Sequence, residues 1–184
     1  MDNDLPPVPD VSICIPVYNR QKHVRLLLES IARQPAAINI EVIVRDNAST
    51  DDTRGIFDSI GGDRSNWTFI QNGENIGGKR NIRLCTEPAR GRYIWIVGSD
   101  DRLKDNAIDE LKGLIALADE NKALAIHTNP RLPQFLPARV IAPPYSWLRH
   151  VGVNDAGFIS SVIWQSAFWR TYPYDSYAPR LTAR

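Results

Sequence analysis

The chain has 184 residues and a mass of 20.7 kDa, the size of one domain and enough to bury about 70% of its unfolded surface without disulfide or metal staples. Lys and Arg number 22 and Asp and Glu 21, a net charge of +1, so the basic excess of a nucleic-acid binder is missing. Hydrophobic residues at 43% and charged residues at 23% are those of an ordinary globular domain.

Residues 1–10 hold three prolines and three aspartates and read as a disordered lead-in. Val11 to Val17 is a β-branched run followed by the turn former Asn19, and predicts a strand. Val24, Leu27, Leu28 and Ile31 then fall at helical spacing. Ile40 to Val44 is a second buried strand, and Ser49 or Thr50 is placed to cap a helix whose first turn holds Asp51 and Asp52. That helix ends near Gly61-Gly62. Trp67 to Ile70 predicts a third strand, Gly78 to Thr86 a third helix and Tyr93 to Val97 a fourth strand. A helix from Asn106 to Ala118 and a strand from Ala123 to His127 follow. From 128 onward the pattern degrades, with five prolines between residues 130 and 144, Phe158 to Ile163 as a further strand and Gln165 to Arg170 as a short helix.

Strands alternating with helices predict an α/β fold, a mostly parallel central sheet flanked by helices, whose ligands bind at the carboxyl ends of the strands. The residues just past each strand therefore carry the functional expectation. The first turn has neither the Gly-x-Gly-x-x-Gly of dinucleotide folds nor a P-loop. Pro16, Val17, Tyr18 and Asn19 instead offer backbone groups and a ring to a flat base, or simply end a strand on a buried tyrosine. Asp46 and Asn47 either accept hydrogen bonds from base or ribose, or shape a turn. Gly77-Gly78 before Lys79 and Arg80 suits a diphosphate at a helix N-terminus, or is a glycine turn with a solvated basic face. Asp100 and Asp101 repel one another unless a cation binds; as hard oxygen donors they suit Mg²⁺ or Mn²⁺ bridged to phosphate. Asp101 alone also reads as a helix cap.

Four segments in order are Ser12-Ile-Cys-Ile-Pro-Val-Tyr-Asn19, Val44-Arg-Asp-Asn-Ala-Ser-Thr-Asp-Asp-Thr53, Asn75-Ile-Gly-Gly-Lys-Arg-Asn81 and Gly98-Ser-Asp-Asp101. This series resembles family 2 glycosyltransferases of the GT-A fold over residues 11–128. The resemblance implies a nucleotide-diphosphate sugar donor, with Pro16 to Asn19 and Asp46 near the base and Arg80 near the nucleotide. It places Asp100 near ribose or metal and Asp101 on the metal. Ser-Asp-Asp departs from the commoner Asp-x-Asp, which leaves Asp101 as the direct ligand. Residues 11–128 would then be the nucleotide-sugar half and 129–184 an incomplete acceptor-side region. Gly157 to Trp164 with Phe168-Trp169 resembles a subset that acts on bacterial surface polysaccharide, such as abequosyl-type enzymes.

The family's reaction implies inversion at the anomeric carbon by an acceptor hydroxyl of a glycan or lipid-linked glycan, with a carboxylate to take the proton. The acidic residues after Glu120 are Asp155 and Asp175. Asp155 is the candidate, its role unassigned. Family members extend further, so a truncated chain is expected, and with it the alternative of an inactive nucleotide-binding fragment. A flavodoxin-like signalling domain with Asp46 as phosphoacceptor leaves Gly77 to Arg80 and Asp100-Asp101 without a task. Trp147, Trp164 or Trp169 can stack on an acceptor sugar, or serve as core. Ala156 to Trp169, the longest uncharged run beside an apolar stretch at 14 residues, is short of the about 20 that span a bilayer. Residues 1–10 carry acids where a signal peptide would have lysines, with no apolar core behind them, and do not read as one. Cys14 and Cys85 lack ligand spacing and read as reduced thiols of a cytoplasmic protein. Arg90, Arg92, Arg102 and Lys104 are solvated charge that also suits peripheral contact with the membrane's anionic inner face.

Overall fold

The computed structural model describes residues 7–128, 140–141 and 159–171. In chain order these form β1 (Val11–Val17), α1 (Gln21–Ala32), β2 (Ile40–Asp46), α2 (Thr53–Gly61), β3 (Trp67–Gln71), α3 (Gly78–Thr86) and β4 (Tyr93–Ile96). There follow α4 (Ala107–Glu120), β5 (Ala125–His127), β6 (Val140–Ile141), a 3-10 turn at Ile159–Ser161, β7 (Val162–Gln165) and α5 (Ser166–Thr171). One sheet takes the order β3-β2-β1-β4-β7-β5-β6. β3, β2, β1 and β4 run parallel to one another, whereas β7 is antiparallel to both β4 and β5, and β6 to β5.

The strands read as near-continuous apolar runs because both faces of the sheet are covered. Alternate residues of β1 divide between two cores. Val11, Ile13, Ile15 and Val17 join Val42 and Val44 of β2 and pack against Leu27 and Leu28 of α1, Phe57 of α2 and Leu111 of α4. Cys14 turns the other way, with Ile43, Ile94 and Ile96, toward Cys85 of α3 and Trp169 of α5. Both cysteines are free and buried. A hydrogen bond with Cys85, burial and the nearby Cys85 and Glu41 charges hold the Cys14 thiol well above its ordinary range.

At the end of the sheet where β1 and β2 begin, Glu41 is 6% exposed, a carboxylate in the core. It is stabilised by donors: the Ser12 hydroxyl at 2.6 Å, the Arg90 and Gly91 amides at 2.5 and 3.2 Å, and Arg90 Nε at 3.2 Å. Gly91 runs so close to β1 that an added Cβ would lie 2.5 Å from the Ser12 nitrogen.

Several boundaries differ from the sequence reading. Pro9 and Asp10 are not part of a loose lead-in: the Pro9 carbonyl accepts from the Arg92 amide at 2.9 Å, and the Asp10 amide donates to the Asn39 carbonyl at 2.7 Å. Residues 1–6 lie outside the described residues. α2 starts at Thr53 with Asp52 as its N-cap rather than at Ser49 or Thr50. The expected strand from Phe158 begins only at Val162, after the 3-10 turn. Among the described residues no helix is long and apolar enough to cross a membrane.

Candidate nucleotide-sugar site

β2, β1 and β4 are parallel neighbours, so their carboxyl ends open on one edge of the sheet. Val17 and Asp46 stand side by side in register, and the Asn47 amide donates to the Val17 carbonyl at 2.8 Å. Pro16 is half-buried, Val17 is buried, and Tyr18 emerges beyond them at 43% exposure. Asn19 takes a left-handed φ of 50°, a conformation asparagine tolerates better than most residues. The loops after β1 and β2 bind each other reciprocally. The Asn19 amide donates to Ser49 Oγ at 2.8 Å while Asn19 Oδ1 accepts from the Thr50 amide at 2.8 Å. The Gln21 amide donates to Asp51 Oδ2 at 2.8 Å, and Gln21 Oε1 accepts from the Asp52 amide at 2.6 Å. Burial pushes the Asp51 carboxyl up, but hydrogen bonds from the Thr53 hydroxyl and the Gln21 and Thr53 amides outweigh it, leaving Asp51 below its ordinary value. This is why Ser49 and Thr50 do not cap α2: their groups are committed across the loop.

Asp46 is 1% exposed. Its carboxylate accepts from the Ser49 hydroxyl, from the Ser49 amide at 3.1 Å and from Gln71 Nε2 at 3.0 Å. Asn47, 3% exposed, is a hub for the loop leading to α3. Its Oδ1 accepts from Asn72 Nδ2 and the Ile76 amide, both at 3.0 Å, and its Nδ2 donates to Asn75 Oδ1 at 2.8 Å. Asn72 also donates to Asn81 Oδ1 at 2.8 Å, and Asn81 Nδ2 to the Arg45 carbonyl at 3.1 Å. These asparagines hold a loop that passes through Gly77 at φ +82°, a turn for which glycine is suited. Gly78, Lys79 and Arg80 then form the exposed first turn of α3. A Cβ at Gly77 or Gly78 would meet nothing within 4 Å, so the space in front of this helix end is open. Among the described residues Arg80 has no acidic partner.

The turn after β4 holds the two carboxylates. Gly98 lets both carboxylates fold back over the turn: a Cβ there would stand 2.9 Å from Asp101 Oδ2 and 3.1 Å from Asp100 Oδ1, and either side chain would have to shift. Asp100 Oδ2 pairs with Arg20 Nη1 at 3.0 Å, joining the ends of β1 and β4. Asp101 Oδ2 accepts from the Gly98 amide at 3.0 Å and from the Ser160 hydroxyl. The expected mutual repulsion is thus eased by the Arg20 guanidinium and by N–H and O–H donors. Each carboxylate keeps its Oδ1 without a hydrogen-bond partner among the described residues. Those residues contain no group of three or more His, Cys, Asp or Glu side chains able to hold a metal. Two carboxylate oxygens nevertheless fit Mg²⁺ or Mn²⁺, which takes few protein ligands and completes its shell with phosphate and water.

The structure therefore brings together the ends of β1, β2 and β4, with Arg80 on the adjoining α3. Trp169 is committed to the fold: it packs on the second core and its Nε1 donates to Thr86 Oγ1 at 3.0 Å. Trp164 stacks on Phe168 with ring centroids 5.8 Å apart. Asp155, Asp175 and Trp147 lie outside the described residues. Arg20 and Ser160 were not anticipated from the sequence, because neither sits in a pattern with the aspartate it touches, 80 and 59 residues away. The asparagine network had a visible signal: Asn47, Asn72 and Asn75 follow the ends of β2 and β3, and Asn81 comes just after them on α3.

The abequosyltransferase RfbV of Salmonella typhimurium is 39% identical over 103 residues, 53% of this chain and 30% of its own length. The crystal structure of S. aureus TarS residues 1–349 superposes with a TM-score of 0.66 and 25% identity, over 88% of this chain and 48% of that one. A mannosyltransferase from Pyrobaculum calidifontis, solved with GDP-Man and Mn²⁺, has a TM-score of 0.64 at 19% identity and shares the fold, over 92% of this chain and 49% of that one. The chain thus spans half or less of the length of these proteins. The sequence profile described as "Glycosyl transferase family 2" matches residues 12–135, well over half of the chain, and the chain belongs to that family.

Proposed function

We propose that this chain carries the donor site of a glycosyltransferase that moves a sugar from a nucleoside diphosphate to an acceptor hydroxyl. The observation that carries this reading is the Arg20–Asp100 pair, which shows that the loops after β1 and β4 meet over one edge of the sheet. Tyr18 and the backbone of residues 16–19 lie against the base. Asp46 acts beside them, its carboxylate fixing Ser49 and Gln71 and so the wall of the base pocket. Asn47 fixes the loop through Gly77, and the amides and cations of Gly78, Lys79 and Arg80 face the diphosphate, where a helix N-terminus favours negative charge.

Asp101, with Asp100 beside it, would hold Mg²⁺ or Mn²⁺, whose charge stabilises the leaving diphosphate. Arg20 shares Asp100 and keeps that carboxylate toward the site. The acceptor hydroxyl attacks the anomeric carbon from the face opposite the diphosphate, with inversion, as the family's reaction implies. Asp155 stands as the candidate to take the hydroxyl proton. Relatives named for abequosyl transfer and for minor teichoic acid biosynthesis support a surface polysaccharide or lipid-linked glycan as acceptor. Such an acceptor places the protein on the cytoplasmic side, in peripheral contact with the membrane.

Calorimetric titration with UDP, dTDP, GDP and CDP, with and without Mn²⁺, tests the donor site. One nucleotide should bind tightly only with Mn²⁺, and Asp101→Ala should abolish the metal's effect. Equal Mn²⁺-dependent affinity in wild type and Asp101→Ala would refute the assignment. Transfer from the matching nucleotide sugar then separates an enzyme from a nucleotide-binding module.

A further inference from the structure

We infer that Ser160 is the positioning residue for the metal-binding carboxylate of Asp101, an inference that rests on the function proposed above. Ser160 comes from a different part of the chain from the four strand-end motifs, yet its hydroxyl donates to Asp101 Oδ2. The Gly98 amide donates to the same oxygen at 3.0 Å and also reaches Ser160 Oγ at 3.0 Å. Gly98 N–H, Ser160 Oγ and Asp101 Oδ2 thus form a closed triangle around one carboxylate oxygen, and Asp101 Oδ1 is left over.

Ser160 is itself fixed. Its carbonyl accepts from Trp95 Nε1 at 2.9 Å and from Thr128 Oγ1 at 3.4 Å, while the Thr128 amide donates to the Ser161 carbonyl at 2.7 Å. β4, the end of β5 and the 3-10 turn therefore converge on this one residue. A carboxylate with one oxygen held by two donors presents the other to a cation in a single orientation. Outer hydrogen bonds of this kind commonly govern metal affinity by 10–100-fold. Ser160 touches neither metal nor sugar in this arrangement; it acts through Asp101.

The test is Mn²⁺ affinity of the full chain, read by the loss of free-ion paramagnetic resonance signal, without nucleotide and with saturating UDP. Ser160→Ala should weaken Mn²⁺ binding about tenfold, and Ser160→Thr, which keeps the hydroxyl, should restore most of it. Wild-type affinity in Ser160→Ala would overturn the inference. So would equal weakening in the Ala and Thr variants, which would assign the effect to packing and not to the hydroxyl. Asp101→Ala is measured alongside. If it too binds Mn²⁺ like wild type, the metal assignment itself fails; if it loses binding while Ser160→Ala keeps it, only the role of Ser160 falls.

Discussion

Replacing Asn47 by Ala perturbs the donor loop without touching any group that faces the proposed ligand. The side chain makes three hydrogen bonds, two accepted from Asn72 and Ile76 and one donated to Asn75. Neutral bonds contribute about 1 kcal/mol each net. Asn75 is exposed and Ile76 half-buried, so water replaces part of what is lost, and a destabilisation of about 2–3 kcal/mol is expected. In a domain of this size each kcal/mol lowers Tm by about 2–4 °C, so the melting point should fall by about 5–10 °C. Asn47→Asp keeps both accepting positions and loses only the donation to Asn75, with a carboxylate set against the Asn75 carbonyl. Because that carboxylate is buried and faces an acceptor, the cost should match that of the alanine variant, about 2–3 kcal/mol. Circular-dichroism melting of the three proteins, paired with calorimetric binding of the preferred nucleotide and Mn²⁺, reads both consequences. Nucleotide affinity should fall in both variants because the turn through Gly77 is no longer pinned. An Asn47→Ala protein that melts within about 2 °C of wild type and binds nucleotide normally would refute the claim that this asparagine holds the loop.

Gly91→Ala should be more damaging than most glycine substitutions. The added methyl would meet the Ser12 nitrogen at 2.5 Å and the Val11 carbonyl carbon at 2.8 Å, backbone atoms of a central strand that cannot step aside. A loss of at least about 2–3 kcal/mol in urea unfolding is expected, and a variant as stable as wild type would contradict the close approach. Burial, the hydrogen bond to Asp119 at 2.9 Å and the Asp119 charge push the Tyr93 phenol up from 10 to about 12, against Arg92. The raised value favours the protonated phenol in the folded state. Its contribution is therefore complete below pH 10 and lost as pH rises from 10 to 12. Tyr93→Phe should flatten the decline in stability over that interval; an identical decline would assign it to other groups.

Local pattern sufficed where the structural determinant is local. The bounds of β1 and of α3 coincide with the sequence reading because a continuous run of buried residues and a glycine start are written within each segment. The start of α2 was misplaced because Ser49 has two uses, and the reciprocal bonds to Asn19 and Asp46 outcompete a cap. Asp46 read either as an acceptor for base or ribose or as a turn former; its bonds to Ser49 lie within the turn, while Gln71 arrives from β3, a partner no spacing rule reveals. The same reason hid Arg20 and Ser160. The place of β7 between β4 and β5 was likewise illegible: a four-residue strand with three apolar residues does not state its direction or its neighbours.

That placement has a consequence for synthesis. β4 ends at Ile96 and its antiparallel partner begins at Val162, so the 65 residues from 97 to 161 are made between them. At 5–20 residues per second this takes about 3–13 s. Throughout that time β4 can pair with β1 but offers its other side, with the backbone of Tyr93, Ile94 and Trp95, as an open edge. Open edges of this kind invite pairing with other chains. Neighbouring nascent chains on one message each expose the same edge at the same stage, so the vulnerable interval of this protein is set by translation, and it closes when residues 162–165 arrive.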